Sequence, residues 1–264
     1  MSLVVTDAIV LHGFDYLESS RILRLVTREA GVRSVLARGA RRSKKRFGSA
    51  LDLYAQGAAQ LQMKTGRELD TLADFDVQRA RPQLARQMSR FAGAGTIAEL
   101  TLRFASDDAD PGLFDAVEAA LDSIGNAAPD EARAVTLAGA WRVLRELGVA
   151  PTVDNCAECH APVDAAAPAM FSHPAGGTLC ERCGHLARSG RRLPPDARAA
   201  LRDWLNGNAH SLTSPDEARA HQRLLREFLQ EHLTENRPLR AYDAWERETL
   251  TAGEATPMAG EAVP

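Results

Sequence analysis

Aromatic side chains are scarce in this chain, at 5% of 264 residues, and cysteine occurs only four times. So few rings cannot tile a long stacking platform, and an electrostatic groove is the better expectation for any polyanion partner. Four cysteines in two tight pairs do not make the disulfide framework of a small secreted domain; they fit metal binding in a reducing compartment. Long apolar runs are missing as well. Near the start the longest is Ala8 to Leu11, far below the roughly 18 residues a membrane helix requires. Asp7 interrupts the place where a signal-peptide core would lie, so the sequence predicts a cytoplasmic protein with no membrane partner.

Catalytic signatures are absent too. There is no HExxH, no GxSxG and no phosphate loop of the GxxxxGK type. Gly93, Gly95 and Ala98 match a relaxed dinucleotide-binding pattern, but they fall inside a predicted helix with no strand before it. The seven histidines are scattered, without neighbouring carboxylates that would define acid and base roles. The chain therefore offers no candidate catalytic residue and reads as a binding protein, not an enzyme.

What the chain does have is the composition of a folded protein, with 45% hydrophobic and 25% charged residues. Its net charge of −3 hides an asymmetry: residues 1–80 carry 13 Lys/Arg against 9 Asp/Glu. The surplus peaks where Arg38, Arg41, Arg42, Lys44, Lys45 and Arg46 place six cations in nine residues with no acid among them. Charge this dense repels itself unless an anion is near.

Residues 3–13, 20–27 and 31–38 are short Val/Ile/Leu/Thr-rich segments separated by turn formers, and they read as strands. Ala59, Leu61 and Met63 alternate with Gln60, Gln62 and Lys64, giving a fourth strand with one wet face. Thr65, Gly66 and Arg67 then make a hairpin before a fifth strand from Leu69 to Val77. Five short strands in 80 residues predict a five-stranded oligonucleotide-binding barrel at the amino end. Beyond Pro82 the period becomes helical. Ile97, Leu100 and Phe104 mark one helix, Asp110-Pro111 opens another ending near Gly125, and a third runs from Pro129 to Gly148. Ser214, Pro215 and Glu217 form a capping box for a helix with Leu224, Leu225, Phe228 and Leu229 on one face. The fold class is α+β: a barrel over 1–80, a helical domain over 81–150 and 191–250 with a cysteine-bearing insert over 151–190, and a loose tail over 251–264.

Within the insert, Cys156 and Cys159 are separated by two residues, as are Cys180 and Cys183. Each Cys-x-x-Cys turn presents two thiolates to one ion, and the intervening segment returns the chain so that four sulfurs close a tetrahedron. Gly176, Gly177 and Gly184 supply turns, and His160, His173 and His185 are the alternative ligands. The expected cofactor is one structural Zn2+, with no open position for water or substrate.

The cationic run lies where barrel strands give way to a connection, a natural rim for phosphate. Arg21, Arg24 and Arg33 on nearby strands, with Lys64 and Arg67 at the hairpin, extend the candidate DNA-binding set, and Tyr16, Phe47 and Tyr54 are the rings considered for base stacking.

In this order of parts the chain resembles the bacterial RecO family of DNA repair proteins. The most specific segments are AIVLHGFDYLESSRILRLVTREAGVRSVLARGARRSKKRFG, from Ala8 to Gly48, and FSHPAGGTLCERC, from Phe171 to Cys183. HLTENRPLRAY, from His232 to Tyr242, is similar to the family's terminal region, although Arg240 and Ala241 stand where members often carry Lys-Ser. The resemblance implies a nucleoid-associated protein that binds single- and double-stranded DNA and anneals complementary strands. With RecR it implies loading of RecA onto single strands coated by single-stranded-DNA-binding protein (SSB), whose acidic tail is an expected partner of the helical domain. The residues alone leave two other readings open: an RNA-binding barrel protein with a structural zinc site, and a zinc enzyme.

Overall fold

The computed structural model describes residues 2–40, 47, 51–63, 66, 69–233 and 237–254. Five strands open the chain: β1 (Ser2–Tyr16), β2 (Ser20–Thr27), β3 (Gly31–Ala37), β4 (Gln56–Met63) and β5 (Asp70–Arg79). They close into a barrel in the order β1-β2-β3-β5-β4, the five-stranded oligonucleotide-binding arrangement expected from the alternation. β1 is longer than its sequence pattern because it serves two neighbours, pairing with β4 over Ser2–Ile9 and with β2 over Ala8–Tyr16. An irregularity between Val10 and His12 lets it turn that corner. The ring is closed by a short parallel contact, Val35 with Asp70 and Leu36 with Thr71.

Period-two alternation sorts the side chains into two cores. Ala8, Val10, Leu23, Leu25, Val35, Ala59, Leu61, Leu72 and Phe75 fill the barrel interior. Ile9, Leu11, Val26 and Val32, on the opposite face, pack outward against helices. Phe47 and Tyr54, at 2% and 3% exposure, belong to these cores and cannot stack a base; Tyr16 is exposed.

A 3-10 turn (Pro82–Arg86) leads into α1 (Met88–Phe104), α2 (Pro111–Asn126) and α3 (Ala132–Glu146). Asp110 caps α2 as its sequence predicts, its Oδ1 accepting from the Leu113 N–H at 2.9 Å. Gly93 and Gly95 lie within α1, and Gly93 serves packing: a Cβ there would sit 2.4 Å from Thr136 Oγ1 of α3. The insert follows as β6 (Ala169–Ser172), β7 (Gly177–Leu179), α4 (Glu181–Leu186) and β8 (Arg191–Leu193), with β6 central in a three-stranded sheet. Gly184 sits inside α4 and makes no turn.

Helices α5 (Pro195–Leu205), α6 (Pro215–His232) and α7 (Arg240–Glu254) complete the chain. α6 buries Leu224, Leu225, Phe228 and Leu229 together, as expected, and Phe228 meets Trp141 of α3 and Phe171 of β6 at ring separations of 5.3 and 6.3 Å. Only half of its capping box is conventional. The Ser214 hydroxyl accepts from the Glu217 N–H, but the Glu217 carboxylate receives the N–H of Thr213, not that of Ser214. α7 carries helical structure on to Glu254, past the Thr251 at which the sequence places the tail; residues 255–264 lie outside the described residues. Its first turn is capped from α1, where the Glu99 carboxylate accepts from the N–H groups of Arg240, Ala241 and Tyr242 at 2.8, 2.8 and 3.1 Å.

Candidate nucleic-acid interface and metal centre

Strand pairing brings the ends of four strands together at one end of the barrel. Tyr16 pairs with Ser20, Arg21 with Ala37, and Val35 with Asp70. The β1–β2 turn, the exit of β3 and the start of β5 are therefore neighbours. From that exit stands Arg38, which is exposed. Arg41, Arg42, Lys44, Lys45, Arg46, Lys64 and Arg67 lie outside the described residues.

The three strand arginines are each anchored to main-chain carbonyls. Arg21 donates to the Leu51 carbonyl at 3.0 Å and lies 3.7 Å from the Asp15 carboxylate. Arg24 and Arg33 reach across to the helical domain, donating to the carbonyls of Leu102 at 3.0 Å and Asp107 at 2.7 Å. Gly31, at φ +67°, lets the β2–β3 hairpin approach the same loop, where any Cβ would lie 2.4 Å from the Asp108 carbonyl.

A second set of cations, not singled out by any sequence motif, forms the seam between barrel and helices. Asp115, Glu118 and Asp122 project from one face of α2 toward Arg28, Arg79 and Arg81. Arg28 donates to Asp115 at 2.5 Å and lies over the Phe114 ring at 4.6 Å. The buried guanidinium of Arg81 donates to Asp122 at 2.7 Å, to the Tyr54 carbonyl at 3.0 Å and to the Gln56 side chain at 2.7 Å. The legible signal was the i, i+3, i+7 spacing of three acids on a helix without one cation, a face that needs cations from elsewhere.

In the insert, the sulfurs of Cys156, Cys159, Cys180 and Cys183 all lie within 4.8 Å of one another, and those of Cys159 and Cys180 are 3.7 Å apart. A tetrahedron of sulfurs about 2.3 Å from a zinc ion has edges of about 3.8 Å, so the cluster has the dimensions of a four-thiolate site. Local backbone builds it: His160, at φ +61°, closes the first Cys-x-x-Cys turn through its N–H to the Cys156 carbonyl, and Cys180 precedes α4. Burial opposes ionisation of Cys156, but N–H groups of Cys159, Cys180 and Glu158 directed at its sulfur win and hold the thiol down to about 6. Cys183 is pushed up to about 12 by the neighbouring Cys180 sulfur and by desolvation. Four sulfurs this close favour the thiolate form together only with a cation among them. None of the three candidate histidines joins the four-sulfur group: His160 contributes its backbone to the first turn, His173 Nε2 lies 2.9 Å from the Glu227 carboxylate, and His185 lies 3.9 Å from Glu181.

No described helix is long and apolar enough to cross a membrane. The family model described as Recombination protein O N terminal matches residues 1–81, and that described as Recombination protein O C terminal matches residues 85–241. The chain is 34% identical to DNA repair protein RecO of Anaeromyxobacter sp. strain K over 240 residues, 88% of this chain and 92% of that relative. It is 34% identical to DNA repair protein RecO of Geobacter metallireducens over 239 residues, 89% and 93% of the two chains, and 29% identical to that of Rubrobacter xylanophilus over 240 residues, 90% and 94%. A barrel of this strand order, a four-cysteine insert and family models covering residues 1–81 and 85–241 converge: the chain belongs to the RecO family of DNA repair proteins.

Proposed function

We propose that the chain is a recombination mediator that acts without covalent catalysis, holding single- and double-stranded DNA at the cationic end of its barrel and promoting strand annealing. The observation that carries this reading is the convergence of the β1–β2 turn, the β3 exit with exposed Arg38, and the start of β5. The connections leaving that end contain Arg41, Arg42, Lys44, Lys45, Arg46, Lys64 and Arg67. Lys and Arg on phosphate release condensed counterions and supply sequence-independent affinity. Two strands held on one cationic surface repel each other less, and the bases then do the pairing. Arg21, fixed by the Leu51 carbonyl, lends positive charge beside the β3 exit, whereas Arg24 and Arg33, held to the helical domain, add charge farther from it.

The metal of this reading is zinc, held by Cys156, Cys159, Cys180 and Cys183 and structural in role, since four thiolates fill its coordination. With RecR, the protein loads RecA onto SSB-coated single strands, and the acidic SSB tail docks on the helical domain; the family resemblance supports this part, together with a nucleoid location. The test is annealing of SSB-coated complementary oligonucleotides by the wild type and by a variant with Arg41, Arg42, Lys44 and Lys45 all replaced by Ala. Loss of annealing with an unchanged melting temperature is expected; unchanged annealing contradicts the reading.

A further inference from the structure

The period of β1 puts His12, Phe14 and Tyr16 on one face of the strand. It is the outer face, because the intervening Gly13 pairs with Leu23 of the barrel interior, and Asp15 pairs with Arg21. Among the described residues the exposed aromatics are Phe14, Tyr16 and Phe91, so two of the three stand together here at 47% and 40% exposure. The exposed His12 extends the row, its ring 6.1 Å from that of Phe14. Across the register Phe14 meets Ile22, and Ile22 meets Leu36, both half-buried, which gives the rings an apolar floor. Helices cover this face at Ile9, Leu11 and Val26 and reach as far as Arg24, held to Leu102. Beyond it, among the described residues, no helix covers the face up to the strand end that carries Arg38.

We infer that Phe14 and Tyr16 are a stacking platform for unpaired bases, which sets the preference for single strands over duplex and lets a newly annealed product leave. The inference rests on the DNA-binding reading above. Charge selects the occupant, because the ring row runs toward the strand end that carries exposed Arg38, from which the chain continues into the sequence Arg41 to Arg46, a composition that favours a polyanion. Spacing selects its form. Residues two apart on a strand are separated by about 6.7 Å, and bases stacked in a duplex by about 3.4 Å, so a chain engaging both rings has its bases unstacked and spread. A duplex offers its phosphates to the cations but no free base face to the rings. When two held strands pair, the bases leave the rings while the phosphates stay on the cations.

The experiment measures binding of the full chain to three probes of equal length: a single strand, the same strand with abasic positions, and the duplex. The proteins are wild type, the double variant Phe14→Leu with Tyr16→Leu, and Phe14→Trp. Both positions are exposed, so the substitutions leave the fold intact, which a melting curve checks. Wild type is expected to prefer the base-bearing strand over the abasic one by about fivefold or more per ring engaged. The double Leu variant loses that preference and keeps its duplex affinity, while Phe14→Trp retains it. Equal wild-type affinity for base-bearing and abasic strands, or a preference that survives in the double Leu variant, overturns the platform. Failure of every probe to bind wild type overturns the DNA-binding reading instead.

Discussion

Arg81 of the barrel's exit and Asp122 of α2 meet at 2.7 Å, and the Arg81 side chain is fully buried while it does so. Its remaining donors reach Tyr54 and Gln56, so one guanidinium joins the β3–β4 connection, β4 and the helical domain. Replacing Asp122 by Ala leaves that cation buried without its carboxylate and leaves Arg79 with Glu118 as its remaining partner. We expect destabilisation by about 2 to 3 kcal/mol, the scale of a hydrogen bond to a charged group, in denaturant unfolding. Hydrogen exchange should rise first along the seam of barrel and α2. An unchanged unfolding midpoint contradicts this role.

His221 supplies a pH dependence. It is 2% exposed, edge-on to Trp204 at 4.8 Å, and burial lowers its pKa to about 4 from an ordinary 6.5. Glu217 opposes the shift and His210 adds to it. Between pH 6.5 and 4 the unfolded chain therefore binds more protons at this position than the folded one, and stability falls as the pH falls. The decrease amounts to about 3 kcal/mol across that window. His221→Leu should flatten the pH profile of unfolding there, and a variant with the wild-type slope would contradict the assignment.

Metal removal should act locally. Uptake of one ion per chain by four thiolates releases protons, because Cys183, pushed up to about 12, keeps its proton at neutral pH until an ion displaces it. Cys156→Ser is expected to abolish stoichiometric metal content by elemental analysis and to deprotect the amides of β6 and β7, with the barrel strands unaffected. Full metal content in that variant counts against a four-cysteine site.

How far these features were legible in the sequence depends on how local their causes are. The five strands were readable because alternation such as Ala59, Leu61 and Met63 against Gln60 and Gln62 is set by neighbours two residues away. The cysteine site was readable for the same reason, since each pair carries its own turn. Of the seam only the acidic face of α2 was readable; its partners were not, because Arg28–Asp115 and Arg81–Asp122 join residues 87 and 41 positions apart. Helix α5 lies in the segment read as helical but was not singled out, since its apolar stripe is only Ala200, Leu201, Trp204 and Leu205. The outward direction of Phe14 was not legible either, since it follows from the irregularity before His12, which period alone does not reveal.

Lysine chemistry reports on the cationic end directly. Of 32 basic side chains only Lys44, Lys45 and Lys64 are lysines, and all three lie in the connections assigned to DNA. An amine-reactive label read by mass spectrometry should modify them in the free protein and spare them in the presence of single-stranded DNA. Equal labelling with and without DNA contradicts the assignment.

Whether the barrel's cationic end holds DNA is decided by the salt dependence of single-strand affinity, measured for wild type and for the variant with Arg41, Arg42, Lys44 and Lys45 replaced by Ala. The log–log slope should fall by about 0.7 for each phosphate left without its cation, so four replaced cations lower it by about 3, with weaker binding to unrelated sequences alike. An unchanged slope and affinity in the variant would contradict the assignment of the barrel's cationic end to DNA.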